Sequence, residues 1–158
     1  MVQSSPAPLS AADLEDVLAP RGLGFRLRLI SQLMGRRFQE LLAPYDLTPT
    51  HWVVLCCLWR QDDLPTTRIA QQLQQVGGTL TGVLDRMQER GLIERHRDPQ
   101  DRRIWRVCLT PSGRALEADL PPLARQLLQE TLRNFSDQEQ QQLSTLLDRA
   151  IANFMPPR

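Results

Sequence analysis

A chain of 158 residues with a net charge of only +1 can form one globular domain, or a small domain whose helical extensions complete their core against a partner. It is too short for two large domains. It holds no run of about 18 apolar residues, and Met1 to Pro20 lacks the charged start and apolar centre of a signal peptide, so a cytoplasmic protein with no membrane partner is expected. The odd set Cys56, Cys57 and Cys108 contains no Cys-x-x-Cys pair, which argues against a disulfide framework or a structural zinc and fits reduced thiols.

In chain order, residues 1–22 carry Ser, Pro and Ala with few large apolar side chains and are expected to be a flexible arm. From Gly24 to Leu42 the apolar residues Phe25, Leu29, Ile30, Leu33, Phe38, Leu41 and Leu42 recur at helical spacing, and Pro44 ends the run. Thr48-Pro49 then supplies an N-cap hydroxyl and a proline at the first helical position, ahead of a helix with Trp52, Leu55, Cys56 and Trp59 on one face. After the polar break Gln61-Asp62-Asp63, a short helix with Ile69, Ala70 and Leu73 inward runs to about Gln74, where Gly77 and Gly78 interrupt it.

The next helix, about Thr79 to Arg90, buries Leu80, Val83, Leu84 and Met87 and stops at Gly91, a residue suited to the left-handed C-terminal position. Its opposite face is small and polar: Gly78, Thr81, Gly82 and Asp85, flanked by Thr79 and Arg86. Past Gly91 the period becomes alternating. Leu92 to Arg97 and Arg102 to Leu109 read as two strands joined by Asp98-Pro99-Gln100-Asp101. Thr110-Pro111 opens a helix with Leu116, Leu120, Leu123 and Leu127 that Pro121-Pro122 must kink or break. Ser136 to Glu139 is a capping box for a last helix with Leu143, Leu146, Leu147, Ala150, Ile151 and Phe154 at helical spacing.

The order of these elements carries the functional expectation. All 19 basic residues are Arg, and Arg86, Arg90, Arg95, Arg97, Arg102, Arg103 and Arg106 cluster in one short stretch. Thr79 and Thr81 alone would be ordinary helix-start residues, and an Arg-rich hairpin alone a solvated turn with Asp98 and Asp101 as counter-charges. In succession they describe a helix that can lie in the major groove beside a hairpin whose Arg tip suits a narrow minor groove. Double-stranded DNA is therefore the expected partner, bound between about Pro65 and Leu109.

The chain resembles the MarR family of bacterial regulators, and its SlyA-like branch in particular. The resembling residues are Leu47 to Trp52, Ile69 to Leu73, Thr79 to Thr81, Leu84 to Met87, Gly91 to Ile93, Asp101 to Arg103 and Leu109 to Gly113. The resemblance implies a mainly α fold with a small β-hairpin wing. A winged helix-turn-helix spans residues 46–111, flanked by a helical dimerisation region at residues 23–45 and 112–158. It also implies a homodimer reading a pseudo-palindromic operator, with Thr66, Gly78, Thr79, Thr81, Gly82, Arg86, Arg97, Asp101, Arg102 and Arg103 at the DNA. Arg103 is expected in the minor groove, with Asp101 and Arg102 fixing the wing. Gly82 stands where many relatives carry Arg or another long polar residue.

The same resemblance implies a repressor released by a small aromatic or amphiphilic ligand, with Arg28, His51, Trp52 and Cys56 as pocket linings and no cofactor. Two other readings remain open: a winged helix whose partner is a protein, and a thiol-based redox sensor at Cys56-Cys57. Adjacent residues on one helix point about 100° apart and do not readily form a disulfide with each other. No enzyme is expected, because His51 and His96 lie far apart with no nucleophile motif, metal-ligand spacing or paired carboxylates beside them.

Overall fold

The computed structural model describes residues 22–74 and 80–155. Residues 1–21 of the expected N-terminal arm, Gly77 of the expected helix break, and Gly78 and Thr79 of the expected DNA-facing set lie outside the described residues. Helix α1 (Leu23–Leu42) leads through a 3-10 turn (Ala43–Tyr45) into α2 (Pro49–Arg60). Strand β1 (Leu64–Pro65), α3 (Thr66–Gln74) and α4 (Leu80–Glu89) follow, then β2 (Ile93–Arg97) and β3 (Trp105–Leu109). Helices α5 (Pro111–Ala115), α6 (Leu120–Thr131) and α7 (Asp137–Ala152) complete the chain.

The caps act where the sequence places them. Thr48 Oγ1 accepts the amide of His51 and Asp46 takes the left-handed conformation just before it, so the chain turns sharply out of the 3-10 segment into α2. Ser136 and Glu139 form the expected reciprocal box at α7. Gly91, at φ +64°, ends the α4 segment and starts β2. The kink expected at Pro121-Pro122 falls one turn earlier: α5 ends at Ala115, and the prolines occupy the first turn of α6, where their missing N–H groups cost nothing.

The core is one cluster under the helix-turn-helix. Leu42, Leu47, Val54, Leu55, Leu58, Ile69, Leu73, Leu84, Met87, Ile93, Val107 and Leu120 are all nearly or fully excluded from solvent. Phe38, Trp52 and Trp59 stack edge to face along its rim, with centroids 5.5 and 5.7 Å apart. The sheet is three-stranded and antiparallel in the order β1-β3-β2, with Ile93 opposite Leu109, Arg97 opposite Trp105 and Leu64 opposite Val107. Its register points Ile93, Val107 and Leu109 at α4 and the core.

Helices α1, α6 and α7 are different. α1 packs along α6, tied by a two-pronged bond from Arg37 to Glu130 at 2.7 and 3.0 Å, which holds the Glu130 carboxyl down at about 2. Even so, Leu23, Leu27, Leu29, Ile30, Leu33, Leu128, Leu146, Ile151 and Phe154 stay exposed. Apolar stripes of that extent on several helices leave a face unpartnered within one chain. Among the described residues no helix is long and apolar enough to cross a membrane.

Buried His51 illustrates how a cap carries a pH dependence. Its Nδ1 accepts the Thr48 amide at 3.2 Å, so the ring must be neutral at that atom. Burial, then Arg90 and Arg86, push its pKa below the ordinary 6.5. A histidine depressed in the fold takes up protons more readily when unfolded, so its stabilising contribution is present above pH ~6.5 and is lost as the pH falls below that. In urea denaturation the native chain is expected to lose stability relative to His51→Gln, which keeps a capping-box residue at that position, as the pH falls from 7.5 to 5.5; a parallel pH dependence in both proteins would refute the assignment.

Candidate nucleic-acid interface

Two exposed elements lie side by side on one face: the outer side of α4 and the hairpin β2-β3. On α4, Leu84 and Met87 are buried while Thr81, Gly82 and Arg86 face solvent. Gly82 has open space around a notional Cβ, so its small size is not a packing requirement. Asp85, expected on the outward face, is half-buried instead. It pairs with Arg95 of β2 at 2.7 Å, and Arg95 Nε donates to Gln88 at 2.6 Å. This cross-link fixes the hairpin to the helix and removes one negative charge from the exposed surface.

The hairpin also differs from its expected outline. β3 begins at Trp105 rather than Arg102, so Asp101, Arg102 and Arg103 belong to the turn. Asp98 is the physical reason. Its carboxylate accepts the amides of Gln100 at 2.8 Å and Asp101 at 3.1 Å, and its backbone amide bonds Ile104 at 2.9 Å, which curls the chain out of ladder pairing. Those amides, together with Arg106, hold the Asp98 pKa below the usual carboxylate range. Asp101 then accepts the Arg103 amide at 2.9 Å, a second turn lock directly behind the tip.

Arg102 and Arg103 are exposed and, among the described residues, make no ion pair. Arg97 has a different part. Its guanidinium lies 4.0 Å over the Trp105 ring and donates to the Arg102 carbonyl at 3.0 Å, so it braces the tip from below. Thr66, at the start of α3, lines a cleft of about 480 Å³ between α4 and the wing with Leu80, Thr81, Leu84, Gln88, Arg95 and Trp105. The structure thus sets Thr66 and Thr81 at the cleft beside the wing and gathers Arg97, Asp101, Arg102 and Arg103 at its tip, while Gly82 and Arg86 stand exposed on α4.

The supposed pocket residues do not gather in one place. Trp52 and Cys56 line a cavity of about 690 Å³ between α2, α3 and the sheet, together with Arg60, Arg68, Gln71 and Arg106. His51 is taken up by the Thr48 cap, and neither it nor Arg28 lines that cavity. Burial, with Cys57 adding to it, pushes the Cys56 thiol up to about 11; burial also raises Cys57 and Cys108. A raised thiol pKa runs opposite to what a reactive thiolate needs. Among the described residues no His, Cys, Asp and Glu group could hold a metal ion.

Sequence reasoning missed the junction under the wing. Asp62 accepts the Leu109 amide at 2.9 Å and the Arg114 guanidinium at 2.5 Å. Asp63, left-handed at φ 56°, accepts Arg106 Nε at 2.9 Å and His96 Nε2 at 2.8 Å. The pair reads in sequence only as a polar break; two acids directly before a two-residue strand were the available signal.

Two helices packed on a buried core and followed by a braced basic hairpin define the winged-helix class of DNA-binding regulators. Comparison with known proteins narrows the class. The MarR family pattern matches residues 47–105. The multiple antibiotic resistance protein MarR of Salmonella typhimurium is 32% identical over 143 residues, 90% of this chain and 98% of that protein. A cysteine-to-serine variant of MarR from E. coli, solved in complex with operator DNA, superposes with a TM-score of 0.74 at 28% identity, covering 87% of this chain and 98% of that one. BpsR of Bordetella bronchiseptica, whose structure is described as a mechanism for regulation of its DNA binding by 6-hydroxynicotinic acid, superposes at 0.70 with 31% identity, covering 81% and 97%. The chain belongs to the MarR family of transcription regulators.

Proposed function

We propose that this chain is a cytoplasmic, homodimeric repressor that binds a pseudo-palindromic operator through two winged helices. The observation that carries the reading is the juxtaposition of an exposed, small-residue face on α4 with a turn-locked tip whose Arg102 and Arg103 have no ion-pair partner among the described residues. The helix offers a shallow surface to the major groove and the tip the Arg103 guanidinium to the minor groove, with Asp101 and Arg102 fixing the wing. In the proposed division of labour, residues 46–111 read DNA. Residues 23–45 and 112–158 form the dimer, which the exposed apolar stripes of α1, α6 and α7 support. Half-sites then lie about 34–36 Å apart, one helical turn.

Release by a small aromatic acid is the second part of the proposal. The cavity beside Trp52 and Cys56 offers an indole, apolar side chains and the guanidinium groups of Arg60 and Arg68, a set suited to a flat carboxylate. Such a ligand acts only through a difference in affinity between lobe spacings that fit the operator and those that do not.

The test is to recover the duplexes that the purified chain selects from its own genome, then titrate one of them at several salt concentrations by fluorescence anisotropy. Affinity is expected to fall with salt at a log-log slope of roughly −0.9 per phosphate neutralised, and sedimentation to give a dimer. A salt-insensitive association or a stable monomer would overturn the reading.

A further inference from the structure

We infer that His96, Asp63, Arg106 and Asp98 form a proton-dependent latch that positions the wing turn, so that operator binding weakens as His96 loses its proton. The inference rests on the wing being a DNA contact, as proposed above, and adds a mode of regulation that the outward-facing residues do not contain.

The geometry around His96 demands two donors from one ring. Nε2 lies 2.8 Å from Asp63 Oδ1 and Nδ1 lies 3.1 Å from the Arg97 carbonyl oxygen. Both partners are acceptors only, and a neutral imidazole has a single N–H. In either neutral tautomer a ring lone pair would face an oxygen, whereas the imidazolium satisfies both. Hydrogen bonding to the Arg97 carbonyl and then to Asp63 correspondingly raises the His96 pKa above the ordinary 6.5.

The charged groups around His96 come from several elements. Arg106 sits directly across from His96 on β3 and opposes its protonation. Asp63 comes from the loop before β1. Glu94, two positions back along β2, shares the face of the sheet and sits opposite Cys108. Asp62, next to Asp63, is engaged by Arg114. On the opposite face Asp85 is paired with Arg95. Arg60 of α2 and Arg68 of α3 line the cavity that Arg106 also lines.

The chain of contacts then runs to the tip. Arg106 Nε donates to Asp63 Oδ2 at 2.9 Å, another arm bonds the Asp63 carbonyl, and Nη1 donates to Asp98 Oδ2 at 2.9 Å. Asp98 in turn holds the Gln100 and Asp101 amides, and Asp101 holds that of Arg103. When His96 deprotonates, Asp63 loses a partner or the ring must swing away. The Arg106 fork that aims Asp98 then loosens with it. The raised pKa gives the sign: the latch is closed below it and opens as pH rises through it.

The experiment uses the full chain. His51 and His96 are its two histidines, and His51 titrates low, so the His96 ring can be followed separately by NMR between pH 5.5 and 8.5, with the Gln100, Asp101 and Arg103 amides read at each step. The expected result is a ring midpoint above 6.5 with the amides moving at the same midpoint. Asp63→Asn, which suits the left-handed backbone, should lower the midpoint and silence the amides. On a duplex recovered by the genomic selection, at fixed salt, wild-type affinity should fall about three- to tenfold across pH 6 to 8, and stay flat in Asp63→Asn and His96→Gln. A midpoint at or below 6.5, or amides that ignore it, overturns the latch. So does an Asp63→Asn variant that keeps the full pH slope, since His96 would then act on phosphate directly. A ring and amides that titrate together while no duplex binds at any pH leave the latch standing and sink the operator reading instead.

Discussion

Arg103→Ala is expected to weaken binding to a selected operator duplex by about 1–3 kcal/mol per site, with no change in sedimentation or in urea midpoint. The side chain is exposed and ion-paired to nothing among the described residues, so removing it takes little from the fold. Its backbone is held independently, by the bond from its own amide to Asp101, so the turn survives the truncation. What disappears is one desolvated guanidinium per subunit in a narrow groove, and with it about one phosphate-equivalent of salt dependence. Arg97→Ala makes the informative comparison. Arg97 braces the tip through the Trp105 ring and the Arg102 carbonyl, so its loss should weaken binding while moving the turn amides, which Arg103→Ala leaves in place. Unchanged affinity in Arg103→Ala would mean that the tip does not enter the groove.

The contrast between these two arginines shows what was legible in the sequence. Local signals were sufficient for local features. The Thr48-Pro49, Thr110-Pro111 and Ser136 caps, the left-handed Gly91 and the helical spacing of the core leucines all depend on residues within a turn of one another. Trp105, Arg97, Asp98 and Arg106 depend on cross-strand register and on the Asp62-Asp63 corner, which lies far away in sequence. Nothing in the spacing of Asp98 and Asp101 says that one carboxylate will collect two amides and end the ladder early. Strand β1 was invisible for the same reason: two residues carry no period, and only their pairing with Arg106 and Val107 makes them a strand.

The two histidines make the same point in electrostatic terms. One is kept neutral by burial, by Arg90 and Arg86 and by a Thr48 amide that needs an acceptor, the other is favoured as a cation because two oxygens need donors. Sequence alone offers two equivalent imidazoles. Their opposite pH dependence comes from the burial and the partners that the fold supplies.

Gly113→Ala is expected to destabilise the protein by about 3 kcal/mol, as the sum of roughly 1–3 for overpacking and about 1 for a lost hydrogen bond. A Cβ at Gly113 would stand 2.0 Å from the Leu92 carbonyl oxygen, 3.0 Å from its carbon and 3.2 Å from Leu109 Cδ2. The offending atoms are backbone, and they are committed. The Leu92 carbonyl accepts the Thr110 amide at 3.1 Å, Thr110 Oγ1 donates to the Gly91 carbonyl at 2.6 Å, and Gly113 bonds that same hydroxyl through its amide and Trp59 through its carbonyl. Relieving the clash therefore pulls apart the joint between the wing sheet and α5, the start of the path toward α6. Gly82→Ala is the control, because nothing lies within 4 Å of a Cβ there and alanine in an exposed helix interior gains up to about 1 kcal/mol over glycine. Urea midpoints at fixed protein concentration should move in opposite directions for the two variants. Equal midpoints for Gly113→Ala and wild type would mean that α5 does not dock on Leu92 as described.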